Sequence, residues 1–203
     1  MVKTEVLVVT PNSSYCKCMK LYKRLFSLPL LLVSTYALAS KVGANAPSFS
    51  LLDQNGEKWN STDFIGNKNI LIFFYPAAMT GGCTKQVCSY RNDIKVWKSK
   101  DFEVVGISGD KPQNLKLFSQ AESLNFRLLS DVKGDVAKAF GVPTSKGGSI
   151  QKFIQGERFT LERGITSKRW TFVISKSGKI IYKNSKVNAA SDSSNVLKFI
   201  SQL

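Results

Sequence analysis

Ile70-Leu71-Ile72-Phe73-Phe74-Tyr75 runs without a break into Pro76-Ala77-Ala78-Met79-Thr80-Gly81-Gly82-Cys83-Thr84-Lys85-Gln86-Val87-Cys88. The first six residues are continuously apolar, as in a central strand covered on both faces. A helix is expected next, over residues 82–98, burying Val87, Tyr90, Ile94 and Trp97 at helical spacing. Cys83 thus stands at a strand-to-helix junction. A helix start offers unpaired N–H groups and a partial positive charge, and both favour a thiolate over a thiol. A free cysteine titrates at about 8.5, and such a site can bring it to roughly 3.5–7.5. Cys83 is expected to be a nucleophile. Thr80, three residues earlier, is placed to aim a hydroxyl at whatever the sulfur attacks, and Pro76 with the two glycines shapes the turn.

Cys88 lies five residues further on. In a regular helix that spacing puts the Cα atoms about 8.7 Å apart, whereas a disulfide needs them within roughly 7 Å. If both cysteines share one helix, they bond only when it opens. The C-x₄-C spacing suits a two-step cycle: Cys83 reacts, the helix unwinds and Cys88 closes on it. The spacing fits equally well two half-buried helix cysteines with no chemistry.

The wider pattern narrows the choice. Pro76-x-x-x-Thr80-x-x-Cys83 resembles the peroxidatic signature of peroxiredoxins, and Cys88 resembles the second cysteine of the bacterioferritin-comigratory-protein (PrxQ) branch. Further matches follow in order at Val104-Val105-Gly106-Ile107-Ser108-Gly109-Asp110, Leu128-Leu129-Ser130-Asp131 and Phe140-Gly141-Val142-Pro143. The last are Arg169-Trp170-Thr171-Phe172-Val173-Ile174 and Gly178-Lys179-Ile180, so the similarity covers residues 42–203. It implies a thioredoxin-like fold and thiol-dependent reduction of hydrogen peroxide and organic hydroperoxides, as in antioxidant defence, without metal or organic cofactor. The resemblance puts the peroxidatic cysteine on Cys83, the resolving cysteine on Cys88 and their disulfide within one chain. It puts the family's threonine, proline and arginine on Thr80, Pro76 and Arg169. Thioredoxin or another thiol is the implied reductant, and a monomer is expected.

The chain has 203 residues, of which 43% are apolar, enough for one well-buried domain plus an extension. Within residues 1–39, Met19-Lys20-Leu21-Tyr22-Lys23-Arg24 is a basic stretch and Leu25 to Val33 an apolar core too short to span a membrane. Ala37-Leu38-Ala39 is a small-x-small cleavage site, and together these read as a secretory signal peptide whose start is Met19. The competing reading is an organelle presequence, since residues 1–39 hold one acid, Glu5, and several Ser and Thr. The protein is therefore expected to be exported, to a periplasm or alternatively to a plastid lumen. Cys16 and Cys18 fall in this leader, and without histidine a zinc site there is not expected. Removing the leader takes the net charge from +15 to +11 and leaves Cys83 and Cys88 as one redox pair. The basic residues are scattered without a tight run or aromatic stripe, so a solvated surface is expected, with no nucleic-acid partner and no membrane insertion. The absence of histidine removes Ser-His, Cys-His and most metal mechanisms.

Residues 40–203 are expected to form a single α/β sandwich with a mixed sheet, because strands alternate with helices and end in a hairpin and a helix. The expected first strand is Ala46 to Leu52. Asp110 is expected to cap a helix burying Leu115, Phe118 and Ala121, and the closing helix to bury Val196, Phe199, Ile200 and Leu203. The chain departs from its relatives between Pro143 and Lys168, a long connection expected to form a flap or extra hairpin beside the site. That segment supplies Arg158 and Arg163 as rivals to Arg169, which is preferred because it opens an apolar strand. A fixed guanidinium there would stabilise charge on the attacking sulfur and the leaving oxygen and lower the pKa of Cys83. At Gln86 relatives often carry glutamate, which puts an acidic role there in question. Two other functions stay open: a thioredoxin-like disulfide oxidoreductase, against which stands the lack of C-x-x-C, and a redox-inert binding domain.

Overall fold

The fold is organised around the strand Asn69–Phe74 (β3), whose residues alternate between two cores. In the computed structural model, which describes residues 40–154 and 156–203, Leu71, Phe73 and the following Tyr75 pack with Val87, Tyr90, Ile94, Trp97 and Phe118. Ile70, Ile72 and Phe74 point the other way, into Val105, Ile107, Val136, Phe140 and Phe172. A continuously apolar strand is the sequence mark of burial on both faces, and all six of Ile70 to Tyr75 are fully buried. The expected leader, with Cys16, Cys18 and Met19, lies outside the described residues.

The other strands are β1 (Ser50–Asp53), β2 (Lys58–Asn60), β4 (Phe102–Ser108), β5 (Arg127–Ser130), β6 (Thr144–Ile154), β7 (Glu157–Ser167), β8 (Thr171–Ile174) and β9 (Ile180–Asn184). Seven of them form one sheet in the order β2-β1-β5-β4-β3-β8-β9. The pairs β3–β4 and β4–β5 are parallel, and β1–β2, β1–β5, β3–β8 and β8–β9 are antiparallel, so the sheet is mixed as expected. Helices α1 (Gly81–Ser99), α2 (Pro112–Ala121) and α4 (Asp192–Ile200) bring Tyr90, Phe118 and Val196 to one face. The short α3 (Asp135–Ala139) brings Val136 and Ala137 to the other.

Four local expectations are corrected. The first strand starts at Ser50, because residues 43–46 spend their backbone bonds on the edge near β9: Gly43 N–H donates to Ile180 O and Ala46 N–H to Gly178 O, both at 2.8 Å. Asp110 does not cap α2. Lys111 holds that position, and the Asp110 carboxylate is buried elsewhere. Ala121 is exposed, lining a shallow cavity with Leu117 and Phe159, because the inward stripe runs through Asn114, Leu115 and Phe118. Leu203 lies beyond the end of α4 and is 78% exposed.

The long connection forms the extra hairpin, β6 paired with β7 from Thr144↔Ser167 to Ile154↔Glu157. Its strand β7 is pinned to the loop between β4 and α2 and to the first turn of α2. Gly164 N–H donates to Gly109 O at 2.9 Å, and Asn114 Nδ2 donates to Glu162 O at 2.7 Å. The approach requires glycine, since a Cβ on Gly109 would lie 2.2 Å from Ile165 O.

Candidate active site

The turn that delivers Cys83 is held from below by Asp110. Its Oδ2 accepts from Ala78 N–H and from the Ser108 hydroxyl, each at 2.8 Å. Burial pushes this carboxyl up and the two donors oppose that shift. Half-buried Pro76 ends the strand, and Met79 takes a left-handed conformation with φ 57°. A side chain rarely accepts that region, and such strained residues cluster at functional sites. Thr80 is the N-cap of α1, extended at φ −99° and ψ 147°. Its hydroxyl makes no capping bond but donates to Ala77 O at 3.0 Å.

Cys83 is in the first turn of α1 and 1% exposed. Arg169 Nη2 lies 3.3 Å from its sulfur, and Nη1 donates to Gln86 Oε1 at 2.5 Å. Arg169 precedes β8 by two residues. Its neighbour Trp170 anchors the segment by accepting Phe74 N–H at 2.8 Å. The rival arginines are occupied elsewhere. Arg158 lies over the Phe153 ring at 5.1 Å, and Arg163 Nε donates to Thr166 Oγ1 at 2.9 Å. Of the three, the structure brings Arg169 to the sulfur.

Cys88 lies in the second turn of the same helix, half-buried, and both cysteines are free thiols. Its Sγ–H points to Glu122 Oε2 at 3.4 Å. Burial pushes this thiol up, the Glu122 hydrogen bond adds to the shift, and the Arg91 charge partly offsets it. Arg91 Nη1 also donates to the Glu122 carbonyl at 2.6 Å, which fixes the residue against α1.

Two residues of this neighbourhood were not anticipated. Asp192, buried at the start of α4, accepts from Gln86 Nε2 at 2.7 Å. Gln86 itself is neither acidic nor exposed: its amide joins Asp192 to Arg169. No local signal marks Asp192, which is 106 positions from Gln86. Glu122 was missed for the same reason. Among the described residues there is no group of three or more His, Cys, Asp or Glu placed to hold a metal ion, and no helix long and apolar enough to cross a membrane.

Residues 42–183 match the AhpC/TSA family. The chain belongs to it. Peroxiredoxin Bcp of Escherichia coli K12 is 50% identical over 102 residues, 50% of this chain and 65% of that protein. Peroxiredoxin Q, chloroplastic, of Gentiana triflora is 36% identical over 154 residues, 75% of this chain and 63% of that protein. The chain thus spans slightly under two thirds of the length of these relatives. The crystal structure of peroxidoxin BcpB from Mycobacterium tuberculosis superposes with a TM-score of 0.67 at 29% identity, covering 80% of this chain and 97% of that one. A peroxiredoxin Q structure from Xanthomonas campestris, at 23% identity and TM-score 0.62, shares the fold. The AhpC/TSA domain here is accordingly a thioredoxin-like, mixed-sheet peroxiredoxin fold.

Proposed function

We propose that this chain is a thiol-dependent peroxidase for hydrogen peroxide and organic hydroperoxides, with Cys83 as the attacking residue and Cys88 as the resolving one. The observation that carries this reading is the Cys83 sulfur in the first turn of α1, 3.3 Å from the Arg169 guanidinium. The Cys83 thiolate attacks one peroxide oxygen and the O–O bond breaks. The sulfur becomes a sulfenic acid, and the other oxygen leaves as water or an alcohol after taking up a proton. Arg169 faces the negative charge that spreads over sulfur and leaving oxygen, and the free N–H groups of the helix start add to it. Pro76 and Thr80 shape the approach. The Cys88 thiol then gives up its proton, its sulfur displaces the hydroxyl of the sulfenic acid as water, and a disulfide forms. A dithiol reductant such as thioredoxin returns both thiols.

Purified protein should consume a thiol reductant only when peroxide is supplied, and Cys83→Ser should not. Reduction of insulin disulfides without peroxide would instead favour the disulfide oxidoreductase, and failure in both assays a redox-inert domain. The absence of C-x-x-C and the arginine at the sulfur favour the peroxidase. We further propose that residues 1–39 are a targeting leader and that the domain acts as a monomer in a periplasm or organelle lumen. The chloroplastic relative supports the second location. Peptide mapping of the N-terminus in the native host and light scattering of the reduced protein test these two points.

A further inference from the structure

Three side chains converge on one carboxylate oxygen. Asp192 Oδ2 accepts from Gln86 Nε2, Tyr90 Oη and Thr171 Oγ1, each at 2.7 Å, and all four residues are fully buried. The elements involved are α1, β8 and α4. A carboxylate in this bonding only accepts and a guanidinium only donates. The Gln86 amide between them therefore has one usable orientation: Nε2 to Asp192, Oε1 to Arg169 Nη1. The other terminal nitrogen of that guanidinium meets the Cys83 sulfur at 3.3 Å. The direction of every bond in the chain Asp192–Gln86–Arg169–Cys83 follows from the carboxylate and the guanidinium in it.

We propose that Asp192 is a positioning residue for the Cys83 reaction, acting through the Gln86 amide on the Arg169 guanidinium, and that the same bond restrains the opening of α1. This rests on the assignment of Cys83 and Arg169 made above. The second half follows from where Gln86 sits, between Cys83 and Cys88 on one helix. Closing a disulfide across a Cα separation of about 8.7 Å requires those turns to open. Gln86 must then leave Asp192 and Arg169. While the bonds hold, the guanidinium is aligned for oxidation and the helix is kept shut. Once Cys83 is oxidised, releasing Gln86 frees the segment for Cys88. Asp192 thus acts with opposite sign on the two steps, favouring the first and slowing the second.

The test mixes full-length protein rapidly with hydrogen peroxide, quenches with a thiol-alkylating reagent, and reads Cys83 and Cys88 separately by mass spectrometry. Asp192→Ala should slow Cys83 oxidation by about tenfold or more, since small misplacements of a positioned group carry penalties of up to about 10²-fold. It should speed disulfide closure per sulfenic acid formed. Asp192→Asn, which keeps a carbonyl oxygen in place, should recover most of the oxidation rate. Gln86→Met should match Asp192→Ala, and the double variant should lose no more than either alone, as residues acting through one network do. If Asp192→Ala leaves three donors unpaired and fails to fold, Asp192→Asn and Gln86→Met carry the test, because Gln86→Met keeps the Tyr90 and Thr171 bonds. Unchanged rates, equal slowing of both steps, or additive losses in the double variant overturn the proposal. Cys83→Ser and Arg169→Met run alongside. If these two keep normal oxidation, the site assignment itself fails; if only the Asp192 and Gln86 variants behave normally, this inference alone does.

Discussion

Cys83 and Cys88 share one helix and meet opposite partners. The first sulfur is 3.3 Å from a guanidinium nitrogen of Arg169, the second 3.4 Å from a carboxylate oxygen of Glu122. A fixed cation at Cys83 stabilises the negative charge that an attacking sulfur and its leaving oxygen share. Glu122 does the reverse at Cys88, where burial and the hydrogen bond to the carboxylate keep the proton on the sulfur. Under the proposed mechanism one site is arranged to react at once and the other to wait. The comparison teaches that the difference between the two environments comes from what the neighbouring elements bring to each cysteine, because the two share a helix and a residue type.

Breaking the Cys83 side should have the largest effect. Cys83→Ser is expected to abolish peroxide-dependent thiol consumption and sulfenic acid formation, measured with a sulfenic-acid probe. Near-normal turnover in that variant would falsify the assignment of the two roles.

Next in size is the cation. Arg169→Met should slow the peroxide step by about 10²–10³, the usual loss on removing one such donor, with thermal stability changed far less. Arg158→Met and Arg163→Met should stay within a few-fold of the parent, since neither of their contacts involves the sulfur. Stopped-flow oxidation rates check both halves. Equal damage from Arg163→Met would move the charge stabilisation to the hairpin.

The waiting cysteine is probed by its own loss. Cys88→Ser should leave the first oxidation rate unaltered and let sulfenic acid accumulate. In the parent protein, oxidation should raise amide hydrogen exchange over residues 82–90 while residues 70–74 stay protected. A non-reducing gel showing only disulfide-linked dimers, or equal protection in both redox states, removes the one-chain closure.

The smallest effect sharpens the contrast through pH. In the Cys83→Ser background, alkylation of Cys88 should rise with a midpoint above the ordinary thiol value of about 8.5, because burial first and Glu122 second favour the protonated sulfur. Glu122→Gln removes the acceptor charge and should lower that midpoint. The sign for stability agrees. A thiol pushed up by folding stabilises the folded state below the unfolded value, and that contribution is lost as pH rises through the folded one. An unchanged midpoint in Glu122→Gln would leave burial as the whole cause.

Much of this protein is written locally. The unbroken apolar run Ile70 to Tyr75 specifies a strand buried on both sides, and the spacing of Val87, Tyr90, Ile94 and Trp97 specifies a helix with one buried face. Cys83 at their junction and Cys88 five residues on follow from the same pattern, as do the turn residues Pro76 and Thr80. These features rest on periodicities and turn chemistry within a few residues. The segment after Pro143 stood out by its length and left a flap or a hairpin open until the structure showed the hairpin. Cap and end positions were less legible. Asp110 sits beside a helix start and satisfies the rule for a cap, yet tertiary packing turns it to Ala78 N–H and the Ser108 hydroxyl. Leu203 fits an apolar pattern, but the helix that would bury it stops at Ile200.

The sequence by itself determined the buried strand, the helix that follows it and the places of Cys83 and Cys88 on that helix, because strand and helix signals and their spacing act over short stretches of chain. Only the tertiary structure decided which arginine meets the sulfur and which partners surround each cysteine. Arg169 reaches Cys83 across 86 positions, Asp192 reaches Gln86 across 106, and Glu122 reaches Cys88 across 34. Hydrogen bonds of this kind depend on distances and angles set by how β8, α4 and α2 pack on α1, and a one-dimensional pattern holds no record of that packing.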